Sequence, residues 1–211
     1  KSGGLCWVKE KKYLKKISTG IFVVSHKLDL PKKNNIAFLV TNENPKIIFS
    51  KILREYFIKP RNYYFKSDIL THKQNPEIII GENVFIGQNV SIGKGTIIHH
   101  NVVIEADSII GCNCIIKSHV SLGTEGLGFE YENDKLVKFP QLGNIIIGDY
   151  VEIGPNSTIR RASIDSTIIG SGSKIGSLVN IGHNSEIGEN CILTSNVILG
   201  GSSKIGNNVY L

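Results

Sequence analysis

The sequence predicts an all-β solenoid, a parallel β-helix of hexapeptide repeats, preceded by a small N-terminal α/β domain. Three observations predict it. Nineteen six-residue units begin with Ile or Leu. They start at Ile80, Ile86, Ile92, Ile98, Ile104, Ile110, Ile116 and Leu122, resume at Ile147, Ile153 and Ile159, and run on from Ile169 through Ile175, Ile181, Ile187, Leu193, Leu199, Ile205 and Leu211. Four places after the aliphatic residue the chain is mostly small or β-branched, as at Val84, Thr96, Val102, Ser108, Cys114, Ser173, Val179, Ser185 and Cys191. Ahead of residue 76 this period is absent, and short apolar runs alternate with polar turns. A fixed short period marks a solenoid whose repeats bury their apolar faces only by stacking on their neighbours.

The elements follow in order. Ile21–Ser25 and Ile36–Val40 are apolar runs bounded by polar turns and read as strands. Asn44-Pro45 opens a helix, because Asn caps well and Pro suits the first turn. Ile47, Ile48, Ile52, Leu53 and Tyr56 carry helical spacing through Phe57. A linker over Tyr63–Pro76 leads into the first coil, which divides the chain into a front domain, 1–75, and a β-helix domain, 76–211. Each hexad supplies a short strand and a corner, and three hexads make one triangular coil of eighteen residues, stacked at about the 4.8 Å spacing of paired strands. Gly and Asn at the corners tolerate backbone angles that other residues resist. The sequence contains no Met and stops one residue into a hexad, so both domains are expected to continue past the two ends given.

The net charge of +6 is unevenly divided. Residues 1–75 hold sixteen Lys or Arg against five Asp or Glu, so the front domain is expected to attract a phosphorylated ligand or an acidic carrier protein. The lysines form no compact block and no nucleic-acid motif accompanies them, so no nucleic-acid partner is expected. No stretch is long and apolar enough to cross a membrane. Of the four cysteines, Cys114 and Cys191 occupy the small inward position and Cys112 lies two residues before Cys114; free thiols and a cytoplasmic setting are expected.

The period breaks twice. Between Leu122 and Ile147 a loop, 123–146, carries Gly-Thr-Glu-Gly-Leu-Gly-Phe at 123–129 and Phe-Pro-Gln-Leu-Gly at 139–143. A four-residue insertion near Arg160–Ser166 adds Arg160, Arg161 and Asp165. Loops expelled from a solenoid corner commonly line its binding face, and an arginine fork suits phosphate. His183 follows Ile181-Gly182 at an outward corner, where an imidazole is a reasonable general base. His99 and His100 are adjacent and diverge on a strand, while His119 and His183 are coils apart, so no metal site is expected. His26 and His72 carry no pattern. Trp7 and Tyr13 are candidates either for the core or for holding a flat base.

Several of these segments carry a resemblance. Val151-Glu-Ile-Gly-Pro-Asn-Ser-Thr-Ile-Arg-Arg-Ala, Ser166-Thr-Ile-Ile-Gly-Ser-Gly-Ser-Lys-Ile-Gly-Ser-Leu-Val-Asn-Ile-Gly-His-Asn, the 123–129 loop, Lys138-Phe-Pro-Gln-Leu-Gly and the Asn44-Pro helix together resemble the UDP-3-O-(3-hydroxyacyl)glucosamine N-acyltransferases of the lipid A pathway. The resemblance implies a left-handed helix, a bacterial cytoplasmic enzyme and a homotrimer. It implies direct N-acyl transfer from an acyl-carrier-protein thioester, or an acyl-CoA, to the amine of a UDP-linked amino sugar, with no bound cofactor. It implies that His183 is the general base, that Asn180 stands near the acyl group where the family has Gln, and that Trp7, Glu10 and Tyr13 face uracil. Gly126, Gly128, Gln141 and Arg161 complete the expected substrate-binding set.

The resemblance departs at Gly176 and Arg160, where the family has Asp, and at Glu10, where it has Asn. Two other functions stay open beside it: an acetyl-CoA-dependent nucleotide-sugar N-acetyltransferase for surface polysaccharide, and a non-catalytic β-helix binding protein. An ice-binding solenoid needs a regular Thr ladder, which this chain lacks.

Overall fold

The computed structural model describes residues 4–14, 19–32, 35–58 and 77–211. The expected linker over 63–76, and His72 within it, lie outside the described residues. The chain divides into two compact units, one of Lys1–Arg61 with Gly128–Pro140, the other of Asn62–Leu127 with Gln141–Leu211. The sequence division places the whole 123–146 loop with the β-helix. In the structure the middle of that loop, Gly128–Pro140, joins the front unit instead.

In the front unit, β1 (Leu5–Val8), β2 (Gly20–Ser25) and β3 (Ile36–Thr41) form a parallel sheet in that order. A short helix, α1 (Lys11–Leu14), follows β1, and α2 (Pro45–Tyr56) follows β3. The cap is the one the sequence predicts. Asn44 is extended, its side chain accepts from the Lys46 amide at 3.0 Å, and Pro45 takes the first turn, where its missing N–H costs nothing. The apolar stripe of α2 buries Phe49 and Leu53, while Val8, Leu14, Phe22 and Val24 form the core beside the sheet. β1 was not expected, because its four residues sit in a lysine-rich stretch with no alternating pattern to flag them.

The loop segment that joins this unit is an antiparallel hairpin, Phe129–Glu132 with Lys135–Lys138. Its turn residues Asn133 and Asp134 both take positive φ, 49° and 60°, the combination that matches the twist of a two-residue hairpin. The hairpin is held within the unit by side chains. Phe139 stacks on Phe49 with centroids 6.4 Å apart, Lys46 pairs with Glu130, and Glu132 receives Lys51 at 3.0 Å and Arg54 at 3.2 Å.

The second unit is a left-handed parallel β-helix. Three six-stranded parallel sheets form its faces, most strands being two residues long. One inward ladder runs Ile80, Ile98, Ile116, Ile153, Ile175, Leu193. A second runs Ile86, Ile104, Leu122, Ile159, Ile181, Leu199, and a third Ile92, Ile110, Ile147, Ile169, Ile187, Ile205. Together with small residues such as Val102, Cys114, Val179 and Cys191 they make one continuous core. Partners one coil apart are separated by 18 residues, as in Asn83 with Asn101, by 37 across the first insertion, as in Cys112 with Asp149, and by 22 across the second, as in Asp149 with Ser171.

Each uninterrupted corner turns on a residue with positive φ three places after the aliphatic one. Asn takes most of these positions, and His119, Tyr150 and Leu178 take others. Several inward hydroxyls of the repeat are paired with main-chain carbonyls. Thr96 donates to the Gly111 carbonyl at 2.9 Å, Ser157 to Gly176 at 2.8 Å and Ser173 to Gly188 at 2.9 Å. No helix among the described residues is long and apolar enough to cross a membrane.

The hairpin contacts carry a pH prediction. The Lys51 ammonium, and after it the Arg54 guanidinium, hold the Glu132 carboxyl below its ordinary value of 4.5. A depressed carboxylate stabilises the folded arrangement above that ordinary value, and the contribution is lost as pH falls through the lower folded value. Amide exchange in Phe129–Lys138, corrected for its intrinsic rate, should therefore lose protection as pH falls below the ordinary carboxylate range. Glu132→Gln should show the weaker protection already at pH 7 and flatten the change.

Candidate active site

The sequence-predicted base, His183, sits at the corner between the second and third faces, directly after the buried Ile181 and Gly182. Its imidazole is half-buried and bracketed by two glycines. A β-carbon on Gly126 would stand 3.2 Å from both Cβ and Cδ2 of His183 and 3.0 Å from Gln141 Oε1. A β-carbon on Gly201, one coil further on, would stand 2.5 Å from His183 Nε2. Gly201 therefore needs to lack a side chain for the ring to lie where it does, because its main chain packs against the Nε2 edge, whereas a β-carbon at Gly126 would only press on the ring.

The rest of the cluster comes from the two insertions. The side chain of Asn184 lies 3.1 Å from His183 Nδ1 through its Oδ1. That same Oδ1 accepts from the Ser163 amide at 3.0 Å, and Nδ2 donates to the Ile164 carbonyl at 2.7 Å. Ser163 Oγ donates to Oε1 of the buried Gln141 at 3.0 Å. The two insertions are joined again by the main chain, where Leu142 N donates to the Ser163 carbonyl at 2.8 Å.

The two arginines separate cleanly. Arg161, expected to bind substrate, is fully buried. Its Nε donates to the Gly123 carbonyl at 2.7 Å, its Nη2 to Ala106 at 2.6 Å, and its amide to Thr124 at 2.9 Å. It is the pin of the 123–126 loop and does not face solvent, because the strand turns alternate residues to opposite sides. Arg160 is the half-exposed neighbour, and its Nη1 donates to the Glu125 carbonyl at 3.1 Å.

The remaining expected residues fall elsewhere. Asn180 is half-exposed on the outer side of the second face, in register with Thr158 and Ile198. Trp7, Glu10 and Tyr13 belong to the front unit. Trp7 is half-buried with Lys46 Nζ 5.8 Å from its ring, Glu10 pairs with Lys12 at 2.7 Å, and Tyr13 is exposed. Gly128 stands at the base of the hairpin, where its carbonyl accepts from Phe139 N at 2.8 Å. At Gly176 a β-carbon would meet the main chain of Thr194 and Ser195 within 3.0 Å, so the side chain that the resemblance places there meets a closed approach between coils. Among the described residues no three His, Cys, Asp or Glu side chains are grouped to hold a metal.

Sequence reasoning passed over Asn184, Ser163 and Gly201. Asn184 has φ of 58°, like the other corner asparagines, so its spacing reads as a corner and nothing more. The Gly200-Gly201 pair was the one available signal, since the other coils carry a side chain at the second of those positions.

The bacterial transferase hexapeptide model (six repeats) matches residues 166–201, and the hexapeptide repeat of succinyl-transferase matches 77–112. The UDP-3-O-acylglucosamine N-acyltransferase of Methylococcus capsulatus is 41% identical over 100 residues, 47% of this chain, and that of Nitratidesulfovibrio vulgaris is 45% identical over 85 residues, 40% of this chain. This chain thus carries transferase-type hexapeptide repeats over those matched residues. The matched segments span only 28% and 25% of those two relatives' own lengths. Among solved structures, the UDP-N-acetylglucosamine O-acyltransferase of Moraxella catarrhalis superposes with a TM-score of 0.57 at 28% identity, covering 64% of this chain and 51% of that one. The loop that meets the corner histidine is fixed by a sealed guanidinium. Arg161→Ala should therefore cost on the order of 3 kcal/mol, from the cavity and from carbonyls left unpaired. Arg160→Ala should cost about 1 kcal/mol or less. Denaturant midpoints of the two variants check this, and equal midpoints would return Arg161 to the solvent-facing surface.

Proposed function

We propose that this chain acts as an N-acyltransferase, moving an acyl group from an acyl-carrier-protein thioester to the amine of a UDP-linked amino sugar. The observation that carries the reading is His183, half-buried at a solenoid corner with its ring between Gly126 and Gly201 and its Nδ1 3.1 Å from Asn184 Oδ1. Nε2 takes a proton from the sugar amine as the nitrogen attacks the thioester carbonyl. The C–N bond forms, the tetrahedral intermediate collapses with loss of the C–S bond, and the imidazolium returns the proton to the departing thiolate. No covalent enzyme intermediate is needed, and a base within hydrogen-bond reach of the amine accounts for the acceleration. The names of the N-acyltransferase relatives support the amine and the nucleotide-linked sugar as substrates.

In this reading Gly126, Gln141 and Asn180 border the acyl-transfer site on the β-helix. Trp7, Glu10 and Tyr13, with Gly128 of the hairpin, serve the uridine end in the basic front unit. That unit's positive charge favours both the UDP phosphates and an acidic carrier protein. The reaction belongs to the bacterial cytoplasm, where the carrier thioester is made. A homotrimer places His183 against a neighbouring subunit. The outward residues Ile79, Ile97 and Ile115, stacked in register on one face, support burial against another copy. Light scattering of the chain should give three times 23.2 kDa, and a monomer would remove the subunit groove from the proposal.

Turnover tests the chemistry. His183→Ala should lower N-acyl transfer by about 10²- to 10⁴-fold with the melting temperature preserved. Product mass spectrometry with carrier-protein thioesters and acetyl-CoA offered together should show transfer from the carrier. Consumption of acetyl-CoA alone would make the protein an acetyltransferase. Transfer from neither donor would leave a binding β-helix.

A further inference from the structure

We infer that Asn184 is a positioning residue that holds His183 in the Nδ1–H tautomer, and that the four-residue insertion exists in this coil to fix Asn184. The significance for catalysis rests on the reading of His183 as the base, but the tautomer itself does not.

The geometry begins at main-chain groups whose polarity is not negotiable. An amide N–H can only donate, and a carbonyl can only accept. Ser163 N lies 3.0 Å from one end of the Asn184 amide and the Ile164 carbonyl 2.7 Å from the other. Those two partners settle which end is oxygen, a choice that an isolated side-chain amide leaves open. The oxygen so placed is the atom 3.1 Å from His183 Nδ1. An oxygen acceptor requires the proton on Nδ1, and a neutral imidazole carries only one. The lone pair is therefore on Nε2, the atom beside Gly201. Histidine in water favours the opposite form, with the proton on Nε2, which cannot accept a proton from an amine on that side.

The comparison with other corners shows what the insertion adds. At uninterrupted corners the asparagine side chain bonds one coil along, as Asn83 does to Asn101 at 3.3 Å and Asn89 to Asp107 at 3.1 Å. Asn184 instead takes both amide partners from main-chain groups of the insertion, 21 and 20 residues earlier. Ser163 is itself held by Gln141 Oε1 and Leu142 N of the longer insertion. Each irregularity of the repeat is thus tied into the orientation of one ring.

Histidine-labelled protein, full chain, tests this by ¹⁵N chemical shifts above the titration range, with His183 assigned by the signal lost in His183→Gln. Wild type should show Nδ1 protonated and Nε2 bare. Asn184→Gly accepts the positive φ without strain and removes the amide, and it should shift His183 toward the Nε2–H form. Asn184→Asp keeps an acceptor in place and should keep the proton on Nδ1. In turnover, Asn184→Gly should lower kcat about 10- to 100-fold with KM little changed, and Asn184→Asp should recover part of the loss. A wild-type His183 protonated on Nε2, or an unchanged tautomer in Asn184→Gly, would overturn the inference. If the tautomers behave as stated while His183→Ala keeps full turnover, the general-base reading fails and the assignment of Asn184 stands.

Discussion

The constraint on which this molecule depends is the coil-to-coil register of its inward aliphatic ladders. Its faces are built mostly from strands of only two residues, such as Ile97–Ile98 and Ile115–Ile116, far too short to persist alone. They persist because the inward Ile and Leu of the three ladders lie directly on others of their kind in the neighbouring coils. A slip by one residue would turn the entire ladder outward, so the register is as strongly specified as the core itself. The positive-φ corners are the other half of the same constraint. They set where each strand ends, and so where the next aliphatic residue enters the column.

Much of this was legible in the sequence, because the six-residue period is a direct record of the ladder. The helix opened by Asn44-Pro45 was legible for a similar reason, since cap and apolar spacing are both local. The allegiance of the 128–140 hairpin was not. It rests on Phe139 meeting Phe49 and on Glu132 meeting Arg54, partners 78 residues apart, and no local pattern encodes such a pairing. Arg160 and Arg161 show the same limit at closer range. Two identical neighbours differ wholly in role because a strand turns one inward and one outward. The place of His183 at an outward corner was legible from the six-residue spacing. Asn184 beside it was hidden because a corner asparagine looks the same whether it stabilises a turn or grips a ring.

The site is an arrangement of main-chain groups as much as of side chains. Arg161 is spent on the carbonyls of Gly123 and Ala106, Arg160 on that of Glu125, and Asn184 on the amide and carbonyl of the insertion. These contacts act on parts of the chain that leave the solenoid, where the ladder exerts no hold. The loop bearing Gly126 is thereby brought to within van der Waals reach of the imidazole. Rigid positioning on an irregular segment is achieved with charged or bidentate donors, which are stronger and more directional than ordinary hydrogen bonds.

The two interruptions leave the aliphatic ladders in register, with a local shift only between Leu122 and Thr124. Ile116 still meets Ile153 and Ile153 still meets Ile175, although the chain between each pair is longer than in an ordinary coil. A scaffold with this property separates architecture from chemistry. Segments of different length and composition can be grafted at an edge without renegotiating the core, so specificity can diverge quickly while foldability is inherited intact.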